Sequence, residues 1–179
     1  MAHLNTLPDH ASLLDVFTSY PAVAKPMLIA AQQILRGPSE LSVAEREFLF
    51  AFGSGINACH FCHGSHLAAA VALGVDEQSV EAALNDIESA PVDANFKPLL
   101  LYVKKLTLSP SKMVRSDADA VRAAGWSDDQ LHDAIAVCAL HNFYNRWVDG
   151  CGVEASDEHL QQAGAMIAAQ GYQKLIPGD

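Results

Sequence analysis

Residues 41–74 read LSVAEREFLFAFGSGINACHFCHGSHLAAAVALG, and their pattern decides the fold class. Ser42 and Glu45 make a Ser-x-x-Glu capping box that opens a helix carrying Glu47, Phe48, Leu49 and Phe52. Gly53 and Gly55 are expected to stop that helix. Asn57 is placed to cap a second one, which runs through Ala68, Ala69 and Ala70 to Gly74. The break matters, because one uninterrupted helix would turn Glu47 and Cys59 about 120° apart at ~100° per residue. Two helices folded on each other would instead bring their side chains to a common site.

The flanking sequence follows the same helical grammar. Residues 8–20 open with Pro8-Asp9 and carry Leu13, Leu14, Val16 and Phe17, which predicts a short helix. Between the punctuation of Pro21, Pro26, Gly37 and Pro38 there is room for a helix over about 22–35. Further helices are predicted over 76–87, 98–106 and 116–124. Ser127 caps a long one carrying Leu131, Ile135, Val137, Leu140 and Phe143. Its later turns hold a polar stripe of Asn142, Asn145, Arg146 and Asp149, read as an interhelical or subunit-interface network rather than a catalytic set. The tail, 160–179, is expected to be a last helix with a ragged end.

Half of the residues are apolar and β-branched runs are scarce, so an all-α protein is expected. The 179 residues suit one domain, with an N-terminal helical arm over about 1–38. A formal net charge of −10 argues against nucleic acid or an anionic membrane as partner, since both require a basic face. No secretory signal opens the chain, and no apolar run approaches the ~20 residues of a membrane helix. A soluble, cytoplasmic protein is the expectation.

Within residues 58–66 lie two of the four cysteines and three of the eight histidines. Cys59 and Cys62 can close a small disulfide, and His66 lies one helical turn beyond Cys62, which sets a proton acceptor beside a thiol. On a helical wheel Cys59, Cys62 and His66 share a face about 100° wide, with His63 at its edge, His60 more doubtful, and Phe61 pointing away. Cys59 in a first turn, with its free N–H groups and helix dipole, would favour a thiolate. Glu47 is placed to orient or polarise the histidine. Cys138 and Cys151 have no such pattern and read as inert packed thiols.

Rival chemistries fit less of this pattern. Cys59-His60-Phe61-Cys62-His63 matches the c-type haem attachment motif, but that leaves Glu47 and His66 unexplained. Zinc on Cys59, Cys62, His63 and His66 would draw every ligand from one short helix, whereas tetrahedral sites collect them from two elements. A thioredoxin-like motif needs a preceding strand, and the preceding segment is helical. No metal or cofactor is expected.

Glu47, eleven intervening residues, Cys59-x-x-Cys62 and His66 together resemble the signature of the AhpD-like alkylhydroperoxidases in the carboxymuconolactone decarboxylase superfamily, peroxidase-related branch. The similarity extends from about Leu41 through Trp126-Ser127 to Asn142-Phe143-Tyr144-Asn145-Arg146 and Asp149-Gly150. The resemblance implies an AhpD-like helical bundle, assembly into a trimer or hexamer, and redox work rather than decarboxylation. AhpD has a histidine immediately before its second cysteine, where this chain has Phe61.

On this basis Cys62 is the expected peroxide-attacking thiolate, His66 its proton acceptor, Glu47 the group that holds the imidazole, and Cys59 the resolving thiol. A small organic hydroperoxide would be the substrate and an external dithiol the reductant. Beside an imidazolium, the Cys62 pKa is expected below the ~8.5 of a free thiol. A non-catalytic redox sensor or binding protein would use the same disulfide.

Overall fold

A computed structural model describes residues 1–176; the expected ragged end beyond them lies outside the described residues. Among the described residues there are nine α-helices and no strand: α1 Leu13–Ser19, α2 Pro21–Arg36, α3 Val43–Ile56, α4 His60–Ala72, α5 Glu77–Asn85, α6 Phe96–Leu108, α7 Arg115–Ala123, α8 Asp128–Cys151 and α9 Asp157–Gln170. Among these residues no helix is long and apolar enough to cross a membrane. The all-α expectation holds.

Helix α3 is the axle of the fold. The Ser42–Glu45 capping box closes as expected, and every residue from Arg46 to Ser54 is buried. It packs on α4 and α8, and more lightly on α2, α5 and α6. Phe50 and Phe52 are almost wholly buried, each contributing about 1.5–3 kcal/mol of apolar transfer. Helices α1 and α2 add Val16, Phe17, Leu28 and Leu35 to the same core.

The glycines do not stop α3. It runs through Gly53 and Gly55 to Ile56, with Asn57 as its C-cap rather than the N-cap of α4. A Cβ on Gly53 would lie 2.1 Å from His141 Nε2, so this glycine serves the close approach of α8. The chain turns at Ala58, which takes a left-handed φ of 56°, and Cys59 becomes the N-cap of α4. The alanine run of α4 is consumed inside the chain. Ala68, Ala69 and Ala70 are buried, and a Cβ on Gly164 of α9 would lie 2.4 Å from Ala68 Cβ.

Candidate active site

Glu47 projects from the middle of α3 and is fully buried. Its Oε2 accepts from His66 Nδ1 at 2.7 Å, and its Oε1 accepts from Tyr172 Oη at 2.8 Å and pairs with Arg36 at 2.6 Å. Burial pushes the Glu47 pKa up, but His66, Arg36 and Tyr172 outweigh it and hold the carboxyl below its ordinary value. A carboxylate only accepts, so the His66 proton sits on Nδ1 and leaves Nε2 as the basic nitrogen. The imidazole is stacked on Phe50, with ring centroids 3.5 Å apart. Arg36 also lies over the Tyr172 ring at 5.2 Å, so α2, α3, α4 and the segment after α9 are tied at one carboxylate.

His66 lines a cavity of about 400 Å³ enclosed chiefly by α1, α2, α4 and α9. Its walls are largely apolar, including Phe17, Leu28, Leu35 and Ile167. Cys62 and Tyr144 line it as well, and Cys59 does not. Phe61, which the helical wheel turns away, also faces the cavity; the helix begins after Cys59, and α1 and α9 fold over the side expected to be outer.

Cys59 lies outside the regular helix, and its Sγ donates to Asp149 Oδ1 at 3.2 Å, near the end of α8. Both thiols are buried and free. The hydrogen bond to Cys59 is the largest influence on Cys62, followed by burial and the charges of Cys59 and Asp149. Together they push its pKa well above normal, against a smaller opposing hydrogen bond from Asn145. The expectation of a depressed Cys62 pKa is therefore corrected: Glu47 engages His66, while Cys62 sits in a buried thiol pair near a carboxylate.

Two histidines leave the site. His63 Nδ1 lies 3.0 Å from the Ala51 carbonyl and Nε2 3.0 Å from Glu81 Oε1, which turns the ring toward α5. His60 is exposed, 3.7 Å from Asp157. Neither lines the cavity. Cys138 and Cys151 are buried, and burial raises both thiols. Among the described residues no group of three or more His, Cys, Asp or Glu side chains is arranged to hold a metal ion.

The polar stripe of α8 is an interhelical network that reaches the thiols. Asn57 Nδ2 donates to Asn142 at 3.1 Å and to Asn145 at 2.8 Å, and Asn145 Nδ2 donates to Ser54 Oγ at 2.9 Å. Arg146 donates to Asn142 Oδ1 at 2.6 Å. Asp149 and Asn145 thus both act on the cysteine pair. Arg36 and Tyr172 carried no local signal in the sequence, since their roles come only from tertiary packing.

The all-helical bundle is similar to those of AhpD-like, peroxidase-related proteins. Residues 21–104 match the Carboxymuconolactone decarboxylase family, and this match together with the structural neighbours supports the AhpD/carboxymuconolactone decarboxylase superfamily. It is similar to an uncharacterized peroxidase-related protein from Silicibacter sp. TM1040, at 25% identity and a TM-score of 0.76, covering 84% of this chain and 79% of that one. An uncharacterized peroxidase-related protein from Ralstonia eutropha JMP134, described as an alkylhydroperoxidase AhpD core, shares the fold at 18% identity and a TM-score of 0.74, covering 84% and 78%. No curated protein matches the chain significantly.

Proposed function

We propose that this protein is a thiol-dependent peroxidase that reduces a small organic hydroperoxide through a Cys59–Cys62 dithiol/disulfide cycle. The observation that carries it is the shared cavity: Cys62 and a histidine oriented by buried Glu47 both line an apolar chamber of about 400 Å³. The Cys62 proton passes to His66 Nε2, and the thiolate attacks the outer peroxide oxygen. An S–O bond forms as the O–O bond breaks, and the alkoxide takes the proton back from His66. Cys59 then attacks the sulfenic acid, water leaves, and a cytoplasmic dithiol reduces the disulfide. Phe61 adds apolar wall where AhpD has a histidine.

Cys62→Ser should abolish hydroperoxide consumption, and Cys59→Ser should leave a sulfenic acid on Cys62 that dimedone traps. Full turnover by Cys62→Ser would refute the assignment. The second reading is a non-catalytic redox sensor or binding protein that uses the same disulfide and is oxidised once per event. Steady-state turnover with an excess of peroxide and dithiol separates the two. A trimeric or hexameric homo-oligomer is part of the proposal, with exposed Leu14 and Phe143 offering apolar surface. Light scattering should give a multiple of 19.1 kDa.

A further inference from the structure

Two buried side-chain polar atoms among the described residues have no hydrogen-bond partner: His141 Nδ1 and Tyr144 Oη. Only Tyr144 lines the cavity. Native interiors rarely leave a hydroxyl unpaired, because its desolvation is then uncompensated. The other hydroxyls of the wall are already engaged, and His66 offers the cavity only the acceptor nitrogen Nε2. Ser65 Oγ donates to the Phe61 carbonyl at 2.9 Å, while Tyr172 Oη and His66 Nδ1 bind Glu47. Tyr144 is also close enough to Cys62 for the two to interact electrostatically.

We propose that Tyr144 Oη is the hydrogen-bond donor that anchors the cavity's ligand, an uncharged, largely apolar molecule carrying one oxygen acceptor. The apolar walls accept the body of such a molecule. An anionic headgroup would find no free guanidinium in Arg36, which binds Glu47 at 2.6 Å and the carbonyls of Leu35 and Ile167 at 2.9 and 3.0 Å. Naming that ligand a hydroperoxide rests on the peroxidase reading; the anchoring itself does not. In the peroxidase cycle, Tyr144 O–H would donate to the inner peroxide oxygen and to the alkoxide that forms as the O–O bond breaks, keeping its own proton while His66 returns the proton taken from Cys62. The balance is Cys62–SH plus ROOH giving Cys62–SOH plus ROH, with sulfur oxidised by two electrons and the peroxide reduced by two.

The test compares cumene with cumyl alcohol, which share a hydrocarbon body and differ by one hydroxyl, by calorimetric titration into the full chain. Tyr144→Phe keeps the ring that packs near Phe143 and Trp147 and removes only the donor. It should weaken cumyl alcohol about 3- to 10-fold while leaving cumene within about 2-fold. In the wild type alone, cumyl alcohol should bind at least as tightly as cumene although its hydroxyl must be desolvated. Equal losses for both ligands, no loss for the alcohol, or no binding of either to the wild type would overturn the assignment. A selective loss for the alcohol in a protein that does not consume cumene hydroperoxide would support the anchor and refute the peroxidase reading.

Discussion

Cys59 Sγ donates to Asp149 Oδ1 at 3.2 Å, a bond between residues 90 positions apart that ties the N-cap of α4 to the last turn of α8. It makes the cysteine pair electrostatically different from two thiols at a helix N-terminus. The carboxylate holds one thiol, and that thiol in turn holds Cys62 in its protonated form. Alkylation of Cys62, followed by peptide mass spectrometry across pH, should have a midpoint above the ordinary thiol value. Cys59→Ala removes the largest cause and should lower the midpoint most. Asp149→Asn removes a smaller repulsion and should lower it less. Asp149 is exposed, so the second effect should shrink at high salt. A midpoint that rises in either variant would contradict this electrostatic picture.

Glu47 is the charge on which Arg36, His66 and Tyr172 converge. Glu47→Gln keeps the shape but leaves a nearly buried guanidinium without its counter-charge, which should cost about 3–5 kcal/mol in urea unfolding. Adding Arg36→Met should recover part of that loss, because no unpaired charge then remains. The folded Glu47 pKa lies below its ordinary value, so its contribution is present above 4.5 and is lost as pH falls through the folded pKa. Additive rather than compensating losses in the double variant would show that the pair is not coupled.

The local signals in the sequence were good guides to where helices begin. Ser42 and Ser127 both close capping boxes, with Glu45 and Gln130, because a cap is decided within four residues. Gly53 and Asn57 misled because tertiary packing sets their roles. A glycine stop and a glycine contact look alike until His141 arrives from α8. The Glu47–His66 pair was legible from spacing. The cavity was not, since α1, α2 and α9 close it against α4, and Tyr144 and Asp149 gain meaning only from their neighbours.

Gly53→Ala separates the two readings of that glycine. In an open helix the change would stabilise by up to about 1 kcal/mol through propensity. Here the new methyl would lie 2.1 Å from His141 Nε2, within a fully buried ring contact. Overpacking of about 1–3 kcal/mol should win, giving a net loss of stability. A Tm equal to or above that of the wild type would mean α8 yields without cost.

His141 itself provides a pH signature. Its ring is buried between α3, α6 and α8, with Nδ1 unpartnered and Nε2 3.5 Å from Thr107 Oγ1. Burial, against a smaller hydrogen-bond contribution from Asn145, lowers its pKa from 6.5 to about 4. The folded protein therefore keeps this imidazole neutral while the unfolded chain takes up a proton below about pH 6.5. More protons bound in the unfolded state means that stability falls as pH falls through this window and levels off below the folded value. Between about pH 6.5 and about pH 5 this one group should cost about 2 kcal/mol. His141→Leu removes the titration, so its stability measured by urea unfolding should decline less over that range by about the same amount. The comparison is made above the ordinary Glu47 value of 4.5, which keeps the carboxylate's own acid loss small. Parallel pH profiles for the wild type and His141→Leu would show that the buried ring is already charged in the folded protein.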